Sequence, residues 1–121
     1  MRTIKFRGKT MMNPEWVHGD LLNFGNNVLS IGCYTPNGYE MMRRIDPLTV
    51  GQFTGLQDAE GVDIYEGDLL LSQECGEVFE VIYDAPHFVL NDNDLGYRFL
   101  NHPGNFMVIG TTHDIEEGGE V

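Results

Sequence analysis

The sequence predicts an all-β fold built as two small curled barrels that pack on one another. Three observations carry that expectation. Apolar and polar residues alternate with period two along most of the chain, the pattern of half-buried strands. Clusters of Gly, Pro, Asn and Asp punctuate the alternation, and no segment of ten or more residues holds a helical spacing of apolar side chains. A seven-residue stretch near the start also returns in the middle of the chain, so one β unit is written twice.

The elements follow in order. Ile4 and Phe6 alternate with Lys5, Arg7 and Lys9, which reads as a first strand with an apolar inner face and a basic outer one. Further strands are expected at Glu15–Leu22, Val28–Cys33, Gly38–Arg44, Gln52–Leu56, Asp68–Ser72, Glu77–Tyr83, His87–Leu90, Tyr97–Leu100 and Phe106–Thr111. Thr35-Pro36-Asn37-Gly38 suits a type I turn. Asp58-Ala59-Glu60-Gly61 places a carboxylate where it can cap a turn and a glycine where φ turns positive. Asn91–Gly96 reads as a polar hairpin tip. At most one short helical turn is expected, near Asp46–Val50, with Asp46 as N-cap and Pro47 at the first helical position.

The repeat is specific in order and spacing. Trp16-Val17-His18-Gly19-Asp20-Leu21-Leu22 matches Ile64-Tyr65-Glu66-Gly67-Asp68-Leu69-Leu70, and Lys5-Phe6-Arg7-Gly8 matches Gln52-Phe53-Thr54-Gly55. Gly19-Asp20 and Gly67-Asp68 are read as structural corners: the glycine supplies a positive φ or a close approach, the short carboxylate accepts from a nearby N–H, and a buried strand follows. Repeat units of about 1–50 and 51–115 are expected, with an acidic tail at 116–121, in one domain spanning 1–121. A unit of about 55 residues is marginal alone, so the two should stabilise each other.

Charge narrows the function classes. Seven Lys and Arg face nineteen Asp and Glu, a net −12, and from Thr10 onward only Arg43, Arg44 and Arg98 oppose all nineteen acids. Most of such a surface repels a polyphosphate backbone, so direct nucleic-acid binding ranks last. No stretch approaches the ~18 apolar residues of a membrane span, and the charged start, Met1-Arg2-Thr3-Ile4-Lys5, is not a signal peptide. A soluble cytoplasmic protein with no membrane partner is expected. Cys33 and Cys75 lack any metal or redox spacing and are expected as buried, reduced thiols.

Motifs for catalysis are weak. A shared acid/base or metal site between His18-Gly19-Asp20 and Glu66-Gly67-Asp68 lacks a specified third ligand, and Asn91–Gly96 fails as a calcium loop because Leu95 falls at a ligand position. Neither Cys with His18, His87, His102 or His113, nor His113-Asp114 as half of a triad, has a supporting nucleophile or oxyanion motif. No phosphate-binding or dinucleotide glycine loop and no HExxH occurs. Catalytic residues, metal ligands and cofactors are therefore all expected to be none. Trp16 is expected in packing, while Tyr34, Tyr39, Tyr83 and Tyr97 are candidates for an aromatic groove.

Ile4-Lys5-Phe6-Arg7-Gly8, Glu15-Trp16-Val17-His18-Gly19-Asp20-Leu21, the block from Gly51-Gln52-Phe53-Thr54-Gly55 through Gly61 to Ile64-Tyr65-Glu66-Gly67-Asp68, and the ending Val108-Ile109-Gly110 resemble the YopX-like family of phages, prophages and other mobile elements. The resemblance spans nearly the whole chain and departs at Cys33, at the Asn91–Gly96 tip and in the Glu-rich tail. It implies a host bacterial cytoplasm and tandem barrels of Src-homology-3-like (SH3-like) character, and it implies no reaction. The expected function is a non-enzymatic protein-interaction module, with Lys5, Arg7 and Lys9 docking on an acidic surface of a partner or of a second copy. The alternatives are an acidic decoy that mimics DNA and a metal-assisted hydrolase.

Overall fold

The computed structural model describes residues 4–34, 40–85, 87–92, 96–100 and 102–113, with the backbone alone at 33, 34, 40, 92 and 96–99. The expected turn at Thr35–Gly38 and the acidic tail at 116–121 lie outside the described residues, as does the centre of the Asn91–Gly96 tip. The protein is all-β. Its strands are β1 (Phe6–Lys9), β2 (Trp16–Asn23), β3 (Leu29–Tyr34), β4 (Glu40–Ile45), β5 (Gly51–Gln57), β6 (Asp63–Tyr65), β7 (Asp68–Ser72), β8 (Val78–Asp84), β9 (His87–Asp92), β10 (Gly96–Phe99) and β11 (Phe106–Thr111). Only β6 had no counterpart in the sequence reading, because three residues are too few for alternation to register.

The expected helical turn is a 3-10 turn at Pro47–Thr49, where the Asp46 carboxylate accepts from the Leu48 N–H at 3.0 Å. A second 3-10 turn, Pro103–Asn105, corrects the expectation of at most one. It forms without a side-chain cap: Pro103 fixes φ at the start of the turn, and the Asn105 N–H closes back on the His102 carbonyl at 3.0 Å.

The chain divides into two compact units, Met1–Phe53 and Thr54–Val121. In the first, β1 lies between β2 and the opening residues of β5, with Phe6 opposite both Gly19 and Gln52. Strand β2 changes partner part-way along: Trp16–Gly19 pair with β1, and Asp20–Asn23 pair with β3. β4 continues the meander as the outermost strand. Ile31 and Ile45 are fully buried here, and a Cβ at Gly8 would overlap Ile45, so only glycine lets β1 approach that side chain.

In the second unit β6 pairs with β5, and a five-stranded antiparallel sheet follows in the order β10-β9-β8-β7-β11. Its core gathers Ile64, Leu70, Phe79, Val81, Leu90, Leu100 and Phe106, with Phe79 and Phe106 meeting edge to face at 5.9 Å. A bulge between Val108 and Gly110 turns Ile109 outward, where it is exposed.

Closed barrels are not found among the described residues. In the second unit β10 and β11 end the sheet. In the first, a single isolated bridge, Thr10↔Ile45, links the chain after β1 to the end of β4. A barrel needs a continuous staggered ladder around its circumference, and one bridge does not make one.

Candidate functional site

The basic first strand does not form the outward stripe that alternation predicted. Arg7 and Lys9 are both buried, each with 7% exposure, while Ile4 is exposed. Period two marks a face only when that face meets water, and here both faces of β1 are covered. The Arg7 guanidinium lies 4.5 Å from the Trp16 ring centroid, the Lys9 ammonium 5.3 Å from the same ring, and the Lys5 ammonium 4.8 Å from that of Phe53. Cations with long aliphatic stems tolerate such cover because the ring faces attract them. The Lys9 N–H also donates to Thr49 Oγ1 at 2.8 Å, tying β1 to the 3-10 turn. Trp16 thus packs over the cations of β1.

The two Gly-Asp pairs occupy equivalent places in the order of strand pairings but differ in geometry. Gly67, at φ 95°, lies in the turn between β6 and β7, and Asp68 is fully buried with Oδ2 accepting from the Tyr65 N–H at 2.7 Å. That corner is the one expected. Gly19-Asp20 is not a corner: β2 runs through it, and Asp20 is exposed. What the first pair requires is the glycine, because a Cβ at Gly19 would collide with the Gly32 carbonyl oxygen.

The Asp58 carboxylate is held by three backbone N–H groups. Oδ1 accepts from the N–H groups of Glu60 (2.8 Å) and Val62 (2.9 Å), and Oδ2 from that of Val108 (2.9 Å). Burial pushes its pKa up, but backbone hydrogen bonds from Val108, Val62, Glu60 and Gly61 outweigh it and hold the group below its ordinary value of 3.8. Gly61 has the expected positive φ, 83°. The carboxylate fastens the Asp58–Val62 turn to β11, a structural duty.

Among the described residues, no group of three or more His, Cys, Asp or Glu is placed to hold a metal ion. His18 and Asp20 are both exposed, whereas Asp68 is fully buried, so the two triplets do not present a matched pair of ligands. Cys75 is a free thiol and exposed, which corrects the expectation of burial: it sits in the turn after β7, where its N–H donates to Ser72 Oγ at 3.2 Å. Of the tyrosines proposed as a groove, Tyr83 packs on Phe88 with ring centroids 5.0 Å apart, and the side chains of Tyr34, Tyr39 and Tyr97 lie outside the description.

The feature that sequence reading missed is a cleft of about 400 Å³ on the first unit, lined by Thr10, Met11, Met12, Arg43 and Arg44. Thr10 shapes its wall, its hydroxyl accepting from the Glu15 N–H at 3.1 Å. Arg43 is held by Glu15 at 2.7 Å, and Arg44 is exposed. Met12 is 80% exposed and Met42, on the adjoining strand, 59%. The signal was present in the sequence as two doublets, Met11-Met12 and Met41-Met42, the second running directly into Arg43-Arg44.

No helix among the described residues is long and apolar enough to cross a membrane. No curated relative matches the chain at a significant level. Among solved structures, the crystal structure of protein EF1440 from Enterococcus faecalis is similar, with a TM-score of 0.60 and 22% identity over 97% of this chain and 98% of that one, a likeness of fold. The family model described as YopX protein matches residues 5–115, nearly the whole length, and the chain belongs to that family.

Proposed function

We propose that this YopX-family chain is a non-enzymatic protein-interaction module of a phage or other mobile element, acting in the cytoplasm of a bacterial host. The observation that supports this reading is the surface of the first unit around the Met-lined cleft. Met11 and Met12 line it and are exposed, Arg43 and Arg44 border them, and Met41 and Met42 farther along β4 are exposed as well. Unbranched, polarizable thioethers adapt to varied apolar partners, and arginines beside them add directional hydrogen bonds to carboxylates. Soluble proteins rarely leave such a cluster uncovered at a strand edge without a partner for it.

The test is capture from a host lysate with wild-type protein beside Met12→Glu/Arg44→Glu. Partners retained by wild type and lost by the variant support the module. A set of captured proteins identical for both counts against it.

The acidic decoy remains a second reading because of the second unit. In sequence, Thr54–Val121 carries fifteen Asp and Glu against Arg98 alone, a net −14. A decoy of this kind competes with DNA for a host protein's basic groove, so added duplex should release that protein from the chain. Metal analysis of the purified protein addresses the hydrolase alternative: bound metal at stoichiometric amounts would favour it over a module.

A further inference from the structure

The outer edge of β4 is open at Met42 and closed just beyond it. Around the Thr10↔Ile45 bridge, the Met11 N–H donates to the Arg44 carbonyl at 3.4 Å and the Asp46 N–H to the Lys9 carbonyl at 2.8 Å. In an antiparallel strand the N–H and C=O of one residue point to the same side, and the side alternates along the chain. The backbone groups of Met42 therefore face outward like those of Arg44, and among the described residues none pairs with them. A segment laid along Met42 meets the Met11 backbone two residues farther on, so the lane beside β4 has a closed end.

The cleft stands at that closed end. Successive side chains of an extended strand point to opposite faces, yet Arg43 and Arg44 both line the cleft, together with Thr10, Met11 and Met12. It therefore straddles the strand edge instead of lying on one face of the sheet. Its walls combine two exposed thioethers with two guanidinium groups. Arg43 is engaged by Glu15 at 2.7 Å, whereas Arg44 is exposed and has no ion-pair partner among the described residues. Residues 1–53 hold six Lys and Arg against four Asp and Glu, a net +2, so the unit that carries the cleft does not repel an anion. An internal stretch of a partner would have to bend out of the lane at Met11. A chain terminus ends there without bending, and its α-carboxylate offers two acceptor oxygens to an unpaired guanidinium.

We infer that the β4 edge and its cleft capture the C-terminus of a partner protein that ends in an apolar residue. Its free α-carboxylate meets Arg44, and its last few residues lie extended along Met42. The terminal side chain enters the cleft beside Met11 and Met12, where flexible thioethers accept several apolar shapes. With the carboxylate at the Arg44 end, the segment runs parallel to β4. The Met42 N–H then donates to one of its carbonyls, and the Met42 carbonyl accepts from an N–H farther along it. This inference rests on the interaction-module reading and gives that surface a particular occupant.

Fluorescence anisotropy of the full chain with N-terminally labelled hexapeptides tests it. The probes are Gly-Ser-Thr-Val-Thr-X, with leucine, valine or phenylalanine at X, each made with a free C-terminal carboxylate and again with a C-terminal amide. At least one free acid should bind saturably, and its amide should bind about tenfold or more weakly. Raising salt from about 20 mM to about 500 mM should weaken the acid and leave the amide nearly unchanged. The Met42 amide should gain protection from hydrogen exchange when the acid is bound. Met12→Glu/Arg44→Glu should abolish binding; both side chains are exposed, and an unchanged thermal midpoint verifies folding. Absence of saturable binding by every free acid up to about 1 mM overturns the inference, as does binding that survives the double substitution. Equal affinities of acid and amide overturn it too, and would hand the edge to an internal segment. If the inference fails while Met12→Glu/Arg44→Glu still abolishes capture from lysate, the module reading stands with another occupant, an internal strand or a second copy. If those substitutions alter neither, both readings fall.

Discussion

Strand β2 passes through Gly19-Asp20 without a break, whereas the chain turns at Gly67 and buries Asp68 before β7 begins. Around both pairs the pairings run in the same order. A two-strand ladder precedes the dipeptide (β1 with β2, β5 with β6), and a three-strand meander follows it (β2-β3-β4, β7-β8-β9). The dipeptide marks the point where the chain leaves one ladder for the next. How it does so differs. In the first unit the glycine permits close approach to the Gly32 carbonyl and the aspartate meets solvent. In the second the aspartate anchors the Tyr65 N–H inside the protein. A repeated motif can thus keep its place in a topology while the residue that carries the structural load changes with the packing around it.

Substitution should expose that exchange of roles. The largest effect is expected for Asp68→Ala, at about 3 kcal/mol, because it leaves the Tyr65 N–H buried beside a void. Asp20→Ala, on an exposed side chain, should stay within about 0.5 kcal/mol. Gly19→Ala should cost about 2 kcal/mol, since the new methyl meets backbone that cannot rotate away. Amide exchange followed strand by strand checks all three: protection should fall in β6–β8 for Asp68→Ala and in β2–β3 for Gly19→Ala. Equal effects of the two aspartates would show that the corners are alike after all.

Asp58 supplies the acid limb of the comparison, because its carboxylate, in the second unit, accepts from three backbone N–H groups. Its pKa is lower in the folded chain than in the unfolded one. The stability it contributes is therefore complete above the ordinary carboxylate value near ~4 and disappears as pH falls through the depressed folded value. Asp58→Asn should cost about 2 kcal/mol at neutral pH. It should also flatten the loss of stability on acidification below about pH 4, measured by urea unfolding at a series of pH values. A variant that loses stability with acid as steeply as wild type would assign that loss to other groups.

Much of this architecture was legible in the residues. Period-two alternation located ten of the eleven strands to within a few residues, and Asp46-Pro47 and Asp58-Ala59-Glu60-Gly61 specified their turns because local hydrogen bonds decide them. Barrel closure was not legible, since it depends on whether distant edges meet in register. The burial of Arg7 and Lys9 was also hidden: alternation reports a difference between two faces and says nothing of a face covered by aromatic rings from neighbouring strands. The cleft escaped notice because Met11-Met12 and Arg43-Arg44 lie about thirty residues apart, and the backbone bonds around the Thr10↔Ile45 bridge bring Thr10–Met12 to the end of β4.

The smallest expected effect separates the two sets of cations in the first unit. Lys5, Arg7 and Lys9 were the sequence's candidates for a docking face, yet Arg7 sits over Trp16 under cover, whereas Arg44 is exposed. Methionine keeps most of either side chain's length and removes its charge. Arg7→Met should therefore cost about 1 kcal/mol of stability through the lost cation–ring attraction, with no change in association that is not explained by unfolding. Arg44→Met should leave stability within about 0.5 kcal/mol and weaken association with the free-carboxylate peptides instead. Thermal unfolding and peptide anisotropy on the same two variants read both axes at once. If Arg7→Met is thermally silent but abolishes association, the partner-binding cations are those of β1, and the assignment of the docking edge to β4 is wrong.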